Sequence, residues 1–155
     1  MIKEVENKDL AQAIDLVNDV FSEFVAVDYS EQGRKSLENK LKEISDNLKS
    51  KDKKMWAYYH DDKIIGVIAV ENTSHISLMF VDKWHHKKGI ARQLFQVVLK
   101  ELKEVENVKQ VTVNSSPYAV EIYKRLGFVQ TGKQQEKEGI IFMMLDMKTY
   151  QRNHS

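Results

Sequence analysis

The strongest constraint on the fold is a helix-sized stretch lodged between two apolar runs. Ile76 to Val81 and Val108 to Asn114 both read as strands. Between them Leu94, Val98 and Leu102 recur at helical spacing in a segment from Ile90 to about Val105. A connection of that length makes a crossover between parallel strands, and such crossovers are right-handed. Ahead of the helix stands His85-His-Lys-Lys-Gly-Ile-Ala91. A strand that turns through a glycine-bearing loop into a helix aims several unpaired backbone N–H groups at one point, which suits a phosphate. Lys87, Lys88 and Arg92 would crowd the positive end of that helix, where each exposed cation costs about 0.3–1 kcal/mol. An anionic ligand would balance them; a solvated lysine loop is the plain alternative. Neither G-x-x-x-x-G-K-[ST] nor G-x-G-x-x-G occurs, so a P-loop and a dinucleotide fingerprint are excluded.

Composition narrows the rest. A chain of 155 residues fits one domain, expected over 1–150 with a polar tail at 151–155. A formal net charge of +1 gives no general attraction to nucleic acid or anionic membranes. The absence of cysteine removes thiolate nucleophiles and sulfur-ligated zinc. The five histidines include no i, i+4 pair, so no metal site is expected. The N-terminus shows no signal-like pattern and no stretch is long enough to span a bilayer, so a cytoplasmic protein, monomeric or homodimeric, is the expectation.

Ile2 to Val5 reads as a first strand. Asp9-Leu-Ala-Gln12 resembles a capping box opening a helix whose apolar face is Leu10, Ile14, Val17, Phe21 and Phe24. A second helix carries Leu37, Leu41, Ile44 and Leu48, with Gly33 blurring its start. Met55–Tyr59 and Ile64–Val70 flank His60-Asp-Asp-Lys63 as a hairpin, and His75–Val81 continues the meander. Pro117, after Asn114-Ser-Ser, opens a short helix with Ala119, Ile122 and Leu126 as its apolar face and Gly127 as its C-terminal stop. Strands are expected at Phe128–Thr131 and Gly139–Leu145.

Three blocks in this order resemble the GCN5-related N-acetyltransferase family. His86-Lys-Lys-Gly-Ile-Ala91 is similar to its acetyl-coenzyme A loop, Q/R-x-x-G-x-G/A, with His86 replacing the Gln or Arg and Ala91 the accepted alternative to glycine. The second block is the strand ending at Asn114, and the third is Tyr118-Ala-Val-Glu-Ile-Tyr-Lys-Arg-Leu-Gly-Phe128, which looks like the family's helix ending in Tyr-x-x-Leu-Gly-Phe. The resemblance implies a mixed α/β fold with a central twisted, mostly antiparallel sheet, two splayed parallel strands and about four helices. It also implies acetyl-CoA as acetyl donor and a small-molecule amine as acceptor.

The same resemblance assigns roles. His86, Lys87, Lys88, Gly89, Ile90, Ala91 and Arg92 would hold the pyrophosphate. The backbone edge of Met79, Phe80 and Val81 would pair with the pantetheine arm, with Asn114 beside the thioester. The Val81 amide would polarise the thioester carbonyl. Tyr123 would be the general acid, since a phenol near pKa 10 stays protonated at neutral pH and can supply a thiolate whose parent thiol lies near 8.5. A core aromatic is the plain alternative for Tyr123. The general base is open among His75, Glu23, Asp28 and a water chain, with His75 first; Glu23 and Asp28 would otherwise touch the acceptor. Trp84 would cover the adenine or pack the loop. A non-catalytic acyl-CoA sensor, a protein or peptide acetyltransferase and a plain phosphate-binding domain are the competing functions.

Overall fold

The computed structural model describes residues 1–25, 29–46, 53–72 and 74–149. Leu48, expected on the second helix, and the tail at 151–155 lie outside the described residues, as does the side chain of Phe24. The strands are β1 (Ile2–Glu4), β2 (Lys53–His60), β3 (Lys63–Glu71), β4 (His75–Val81), β5 (Gln110–Ser115), β6 (Val129–Gln130), β7 (Gln135–Lys137) and β8 (Ile140–Lys148). The α-helices are α1 (Leu10–Val20), α2 (Glu31–Asp46), α3 (Ile90–Glu104) and α4 (Val120–Arg125). The sheet runs β1-β2-β3-β4-β5-β8-β6, with β7 paired to β8. Among the described residues every pairing is antiparallel except β4 with β5. The single parallel pair is the one the helix-sized crossover requires.

Local chemistry places these elements. Asp61 and Asp62 both have positive φ, 50° and 63°, in the two-residue turn between β2 and β3, a turn whose twist matches that of the strands. Ile64 through Val70 is buried throughout, because β3 lies between helices on both faces of the sheet. One core packs α1 and α2 on one face and the other packs α3 and α4 on the opposite face. A Cβ at Gly66 would stand 3.0 Å from Ile90 Cγ2 and from Leu94 Cδ1, so the bare backbone of β3 lets the start of α3 sit close to the sheet.

The register of β3 against β4 slips by one residue. Ala69 faces Leu78 and Val70 faces Ile76, which leaves Ser77 as the extra residue of a β-bulge. In consequence Ile76 belongs to the α3 core and Leu78 to the α1 core. The bulge is also where β4 leaves β5: they pair only at His75 with Thr112 and Ile76 with Val113, while β5 stays on β8 as far as Ser115 opposite Met143.

Several expectations are corrected here. Asp9 makes no capping bond; its carboxylate accepts from the Tyr59 hydroxyl at 3.0 Å, and the chain enters α1 through a 3-10 turn at Asn7–Asp9. Burial and that carboxylate push the Tyr59 phenol up to about 12. The buried face of the first helix is Ala13, Leu16, Val17, Val20 and Phe21, with Leu10 packed against the same core; Ile14, expected on that face, is only half-buried, and a π-helical turn at Phe21–Val25 breaks the 3.6-residue repeat beyond it. The short helix after Pro117 begins as a 3-10 turn capped by Ser116 and buries Val120 and Tyr123 instead of Ile122 and Leu126.

Gly33 lies within α2, not before it, and is there for a close approach. A Cβ on Gly33 would come 2.2 Å from the Gly139 carbonyl oxygen, and one on Gly139 would come 2.2 Å from Ser30 Oγ. Gly139 also has φ +79°, where a side chain adds backbone strain. This contact seats the start of α2 on the turn before β8. Gly139→Ala is therefore expected to destabilise the fold by about 1–3 kcal/mol through overpacking and strain. Urea unfolding of the variant beside the parent checks this, and an unchanged midpoint would refute the tight contact.

Candidate active site

Where β4 and β5 part, a cleft of about 350 Å³ passes between them and reaches both faces of the sheet. Its floor is the free edge of β4. Asp82 N–H bonds the Ile65 carbonyl at 2.8 Å and Gly66 faces Val81, so by the antiparallel alternation the N–H and C=O of Val81 and Met79 point away from β3. They point toward the gap that β5 has vacated. His86 Nε2 lies 2.7 Å from the Val81 carbonyl oxygen; a carbonyl only accepts, so Nε2 carries the hydrogen and the ring donates. That bond satisfies the Val81 carbonyl and leaves its N–H facing the cleft.

One end of the cleft is built by the loop and the start of α3. Lys87 and Gly89 have φ of 63° and 77°, alternating with ordinary residues, which turns successive N–H groups inward as a nest. Gly89 is the N-cap of α3 and no side chain caps the helix; its first turn holds no acidic residue. The donors of Ile90, Ala91 and Arg92 are thus the unsatisfied ones of a 15-residue helix. His86, Lys87, Gly89, Ile90, Ala91 and Arg92 all line the cleft. Arg92 is partly committed, donating from Nη2 to the Arg125 carbonyl at 3.1 Å, and so ties the start of α3 to the end of α4. The nest, the missing cap and the basic side chains fit a diphosphate.

Asn114, Ser115, Ser116, Tyr118 and Tyr123 line the wall across from β4. Tyr123 is 4% exposed, its ring edge-on to Phe128 with centroids 5.5 Å apart. Burial raises its pKa far above that of a free phenol. It is therefore both a core aromatic and a cleft residue. Burial raises Tyr118 as well. On the other face of the sheet the wall is Phe21, Val25, Tyr29 and Leu37, with Leu78 and Phe80 from β4. Sequence reasoning assigned Phe21 and Leu37 to the core and gave no role to Ser77, Tyr118, Tyr29 or Arg125. A π-helical turn leaves no periodic signature by which the wall it forms could have been found.

The expected bases and acceptor contacts do not gather here. His75 stands at the opposite end of β4 and does not line the cleft; its Nδ1 is 2.8 Å from Thr112 Oγ1. Burial first, and Lys40 second, lower its pKa. Glu23 pairs with Lys83 at 3.3 Å in a separate hollow beside Asp82 and Trp84. Asp28 lies outside the described residues. Trp84 is 75% exposed under the Lys83 ammonium, 5.0 Å from its ring, so it does not pack the loop.

Comparison with known proteins agrees with this geometry. The model of the acetyltransferase (GNAT) domain matches residues 25–149. The chain is 26% identical over 118 residues to the UPF0157 protein YqkA of Bacillus subtilis; the match covers 74% of this chain and 33% of that protein, so the chain spans about a third of its curated relative. Among solved structures it resembles a GCN5-related N-acetyltransferase from Rhodopseudomonas palustris, with TM-score 0.79 and 16% identity over 96% of this chain and 94% of that one. It also resembles the PaiA N-acetyltransferase of Thermoplasma acidophilum in complex with coenzyme A, with TM-score 0.73 and 17% identity over 96% and 98%.

Two outcomes follow from the loop and from His75. A Cβ at Gly89 would meet only Gln93 Nε2 at 3.8 Å, so backbone conformation, not space, selects glycine. Gly89→Asn, which tolerates the left-handed region, should keep its melting temperature while Gly89→Val loses several degrees. Both should bind coenzyme A at least about tenfold more weakly by calorimetry, since a side chain then stands before the amides; retained affinity in the Asn variant would count against the nest. His75 binds its proton more weakly folded than unfolded, so the unfolded state takes up more protons as pH falls through the ordinary histidine range. Its contribution to stability is present above about pH 6.5 and lost below. His75→Gln should flatten that loss in unfolding midpoints at pH 5 and 7.5 and leave turnover per folded molecule unchanged.

Proposed function

The chain belongs to the acetyltransferase (GNAT) family, and we propose that it is an N-acetyltransferase that moves the acetyl group of acetyl-CoA to the primary amine of a small molecule by direct attack in a ternary complex. The observation that carries this reading is the through-going cleft. The loop and the start of α3 line it on one face of the sheet, Phe21, Val25, Tyr29 and Leu37 line it on the other, and the free edge of β4 joins the two ends. Residues 1–150 act as one catalytic domain in this reading.

Coenzyme A supplies an acetyl thioester and a diphosphate. The amides of residues 87–92 bind the diphosphate, with Lys87 and Lys88 adding charge. The backbone of Met79 and Val81 holds the peptide-like arm as an added strand, which fixes the acyl group at the gap. The Val81 N–H polarises the carbonyl and stabilises the negative charge that builds on its oxygen as nitrogen attacks. The C–N bond forms, the C–S bond breaks, and Tyr123 donates its hydroxyl proton to the departing sulfur. The proton that the nitrogen loses on becoming an amide passes, through water entering the cleft, to the Tyr123 phenolate and restores the acid. Support for Tyr123 comes from its position in the cleft. His75 and Glu23 have no part, being outside the cleft.

Tyr123→Phe keeps the ring against Phe128 and removes only the donor. Turnover, followed as thiol release from acetyl-CoA, should fall about 10²–10⁴-fold with coenzyme A affinity nearly unchanged. A raised pKa extends the protonated form upward, so in the parent Tyr123 causes no alkaline loss of turnover below about pH 10. Undiminished turnover in Tyr123→Phe would transfer the role to another donor, and Tyr118→Phe then becomes decisive.

A further inference from the structure

The acceptor end of the cleft differs in chemistry from the donor end. It is walled by Phe21, Val25, Tyr29, Leu37, Leu78 and Phe80, all of them part of the α1–α2 core or packed on it. Phe21 and Tyr29 meet edge to face, with ring centroids 4.8 Å apart and planes at 85°. The ionisable nitrogen groups that line the cleft are His85, His86, Lys87, Arg92 and Arg125, and among the described residues no Asp or Glu lines it. Glu23, on the π-helical turn that forms the wall, is exposed and held outside by Lys83.

These features select against charge in the body of the acceptor. The reacting nitrogen must arrive neutral, but a second or third ammonium on the same molecule would lie against these apolar side chains, and among the described residues no carboxylate of the cleft is there to pair it. A buried unpaired charge is strongly disfavoured. An apolar stem meets the opposite situation: it gains by displacing water from this wall, and an aromatic stem adds ring contacts with Phe21 and Tyr29. The volume lies at the low end of the range for ligand pockets, and the acyl arm occupies part of it.

Resting on the acetyltransferase reading above, we propose that the acceptor is a monoamine on a compact apolar stem, arylalkyl or branched alkyl, and not a polyamine, an aminoglycoside or a peptide. The test uses the full chain in two readouts: thiol release from acetyl-CoA, and calorimetric binding of the amine to the protein saturated with coenzyme A. The panel is 2-phenylethylamine, isoamylamine, spermidine, kanamycin and a tetrapeptide beginning with Phe. We expect 2-phenylethylamine and isoamylamine to exceed spermidine and kanamycin by at least about tenfold in kcat/KM, the discrimination a hydrophobic pocket achieves. The same order is expected in affinity.

Tyr29→Glu places a carboxylate at a partly exposed position of this wall and should narrow or invert the ratio of 2-phenylethylamine to spermidine. Phe21→Leu keeps the wall apolar and should lower only the aromatic preference. Both variants are compared at matched melting temperature. Aromatic-selective binding without thiol release for any amine supports the acceptor site and overturns the catalytic reading. Spermidine, kanamycin or the peptide matching or exceeding the apolar monoamines in both readouts overturns the proposal, as does a ratio that Tyr29→Glu leaves unmoved.

Discussion

A strand in the middle of a sheet normally satisfies its backbone on both edges, and burying unsatisfied N–H and C=O groups is costly. In this protein β4 breaks that rule for most of its length. The extra residue Ser77 bends the strand, its pairing with β5 stops after Ile76 with Val113, and β5 remains on β8. Everything that can bind acts on the resulting opening. The helices on either face keep the sheet from closing it, since α3 is held against Gly66 and α1 packs against β3 and β4 from the other side. The open edge is stable because its groups are partly answered: the Val81 carbonyl takes the His86 hydrogen bond, and the remaining donor faces a cleft that a ligand can enter.

In the proposed mode the donor end works through backbone, which leaves its side chains free to depart from the family pattern. His86 stands where Gln or Arg is usual, yet its observed work is local, fastening the loop to the last residue of β4. Arg92 has a similar double life, bridging from α3 to the Arg125 carbonyl at the end of α4. What the loop must preserve is conformation, namely the positive φ of Lys87 and Gly89 and an uncapped helix start. A lysine in the left-handed region is uncommon, and its presence shows how strongly the surrounding turns determine the loop.

The parts of this design that were legible in the sequence are those governed by period and order. The crossover from Ile76 to Asn114, the hairpin at Asp61 and Asp62, and the loop before Ile90 all follow from spacing that tertiary packing then reinforced. The parts that were not legible depend on contacts between distant segments. Nothing near Asp9 reveals that Tyr59 will claim its carboxylate instead of the helix start. Nothing near Gly33 announces Gly139. His75 looked suitable as a base because it opens the central strand, but the strand runs from its end of the molecule to the cleft, and direction along β4 decides the matter. Tyr123 lies in the core and also lines the cleft; a six-residue helix has no room to separate the two.

The two walls of the cleft rest on separate foundations, and this bears on how such a site diversifies. The donor wall stands on the core of α3, β5 and α4, where the loop, Tyr123 and Asn114 are fixed by the same packing that holds the crossover. The acceptor wall stands on α1 and α2, and α2 is seated by Ser30 and Gly33 against Gly139, more than a hundred residues away in sequence. A change in the turn before β8 would therefore move Tyr29 and Leu37 relative to β4 and leave the nest undisturbed. Small residues at Gly33 and Gly139 fix how near α2 comes, and so set the width of the acceptor hollow without touching any ligand. On the proposed reading, acceptor choice can thus shift by residues in neither the loop nor the motif, while the loop's conformation is held by separate packing.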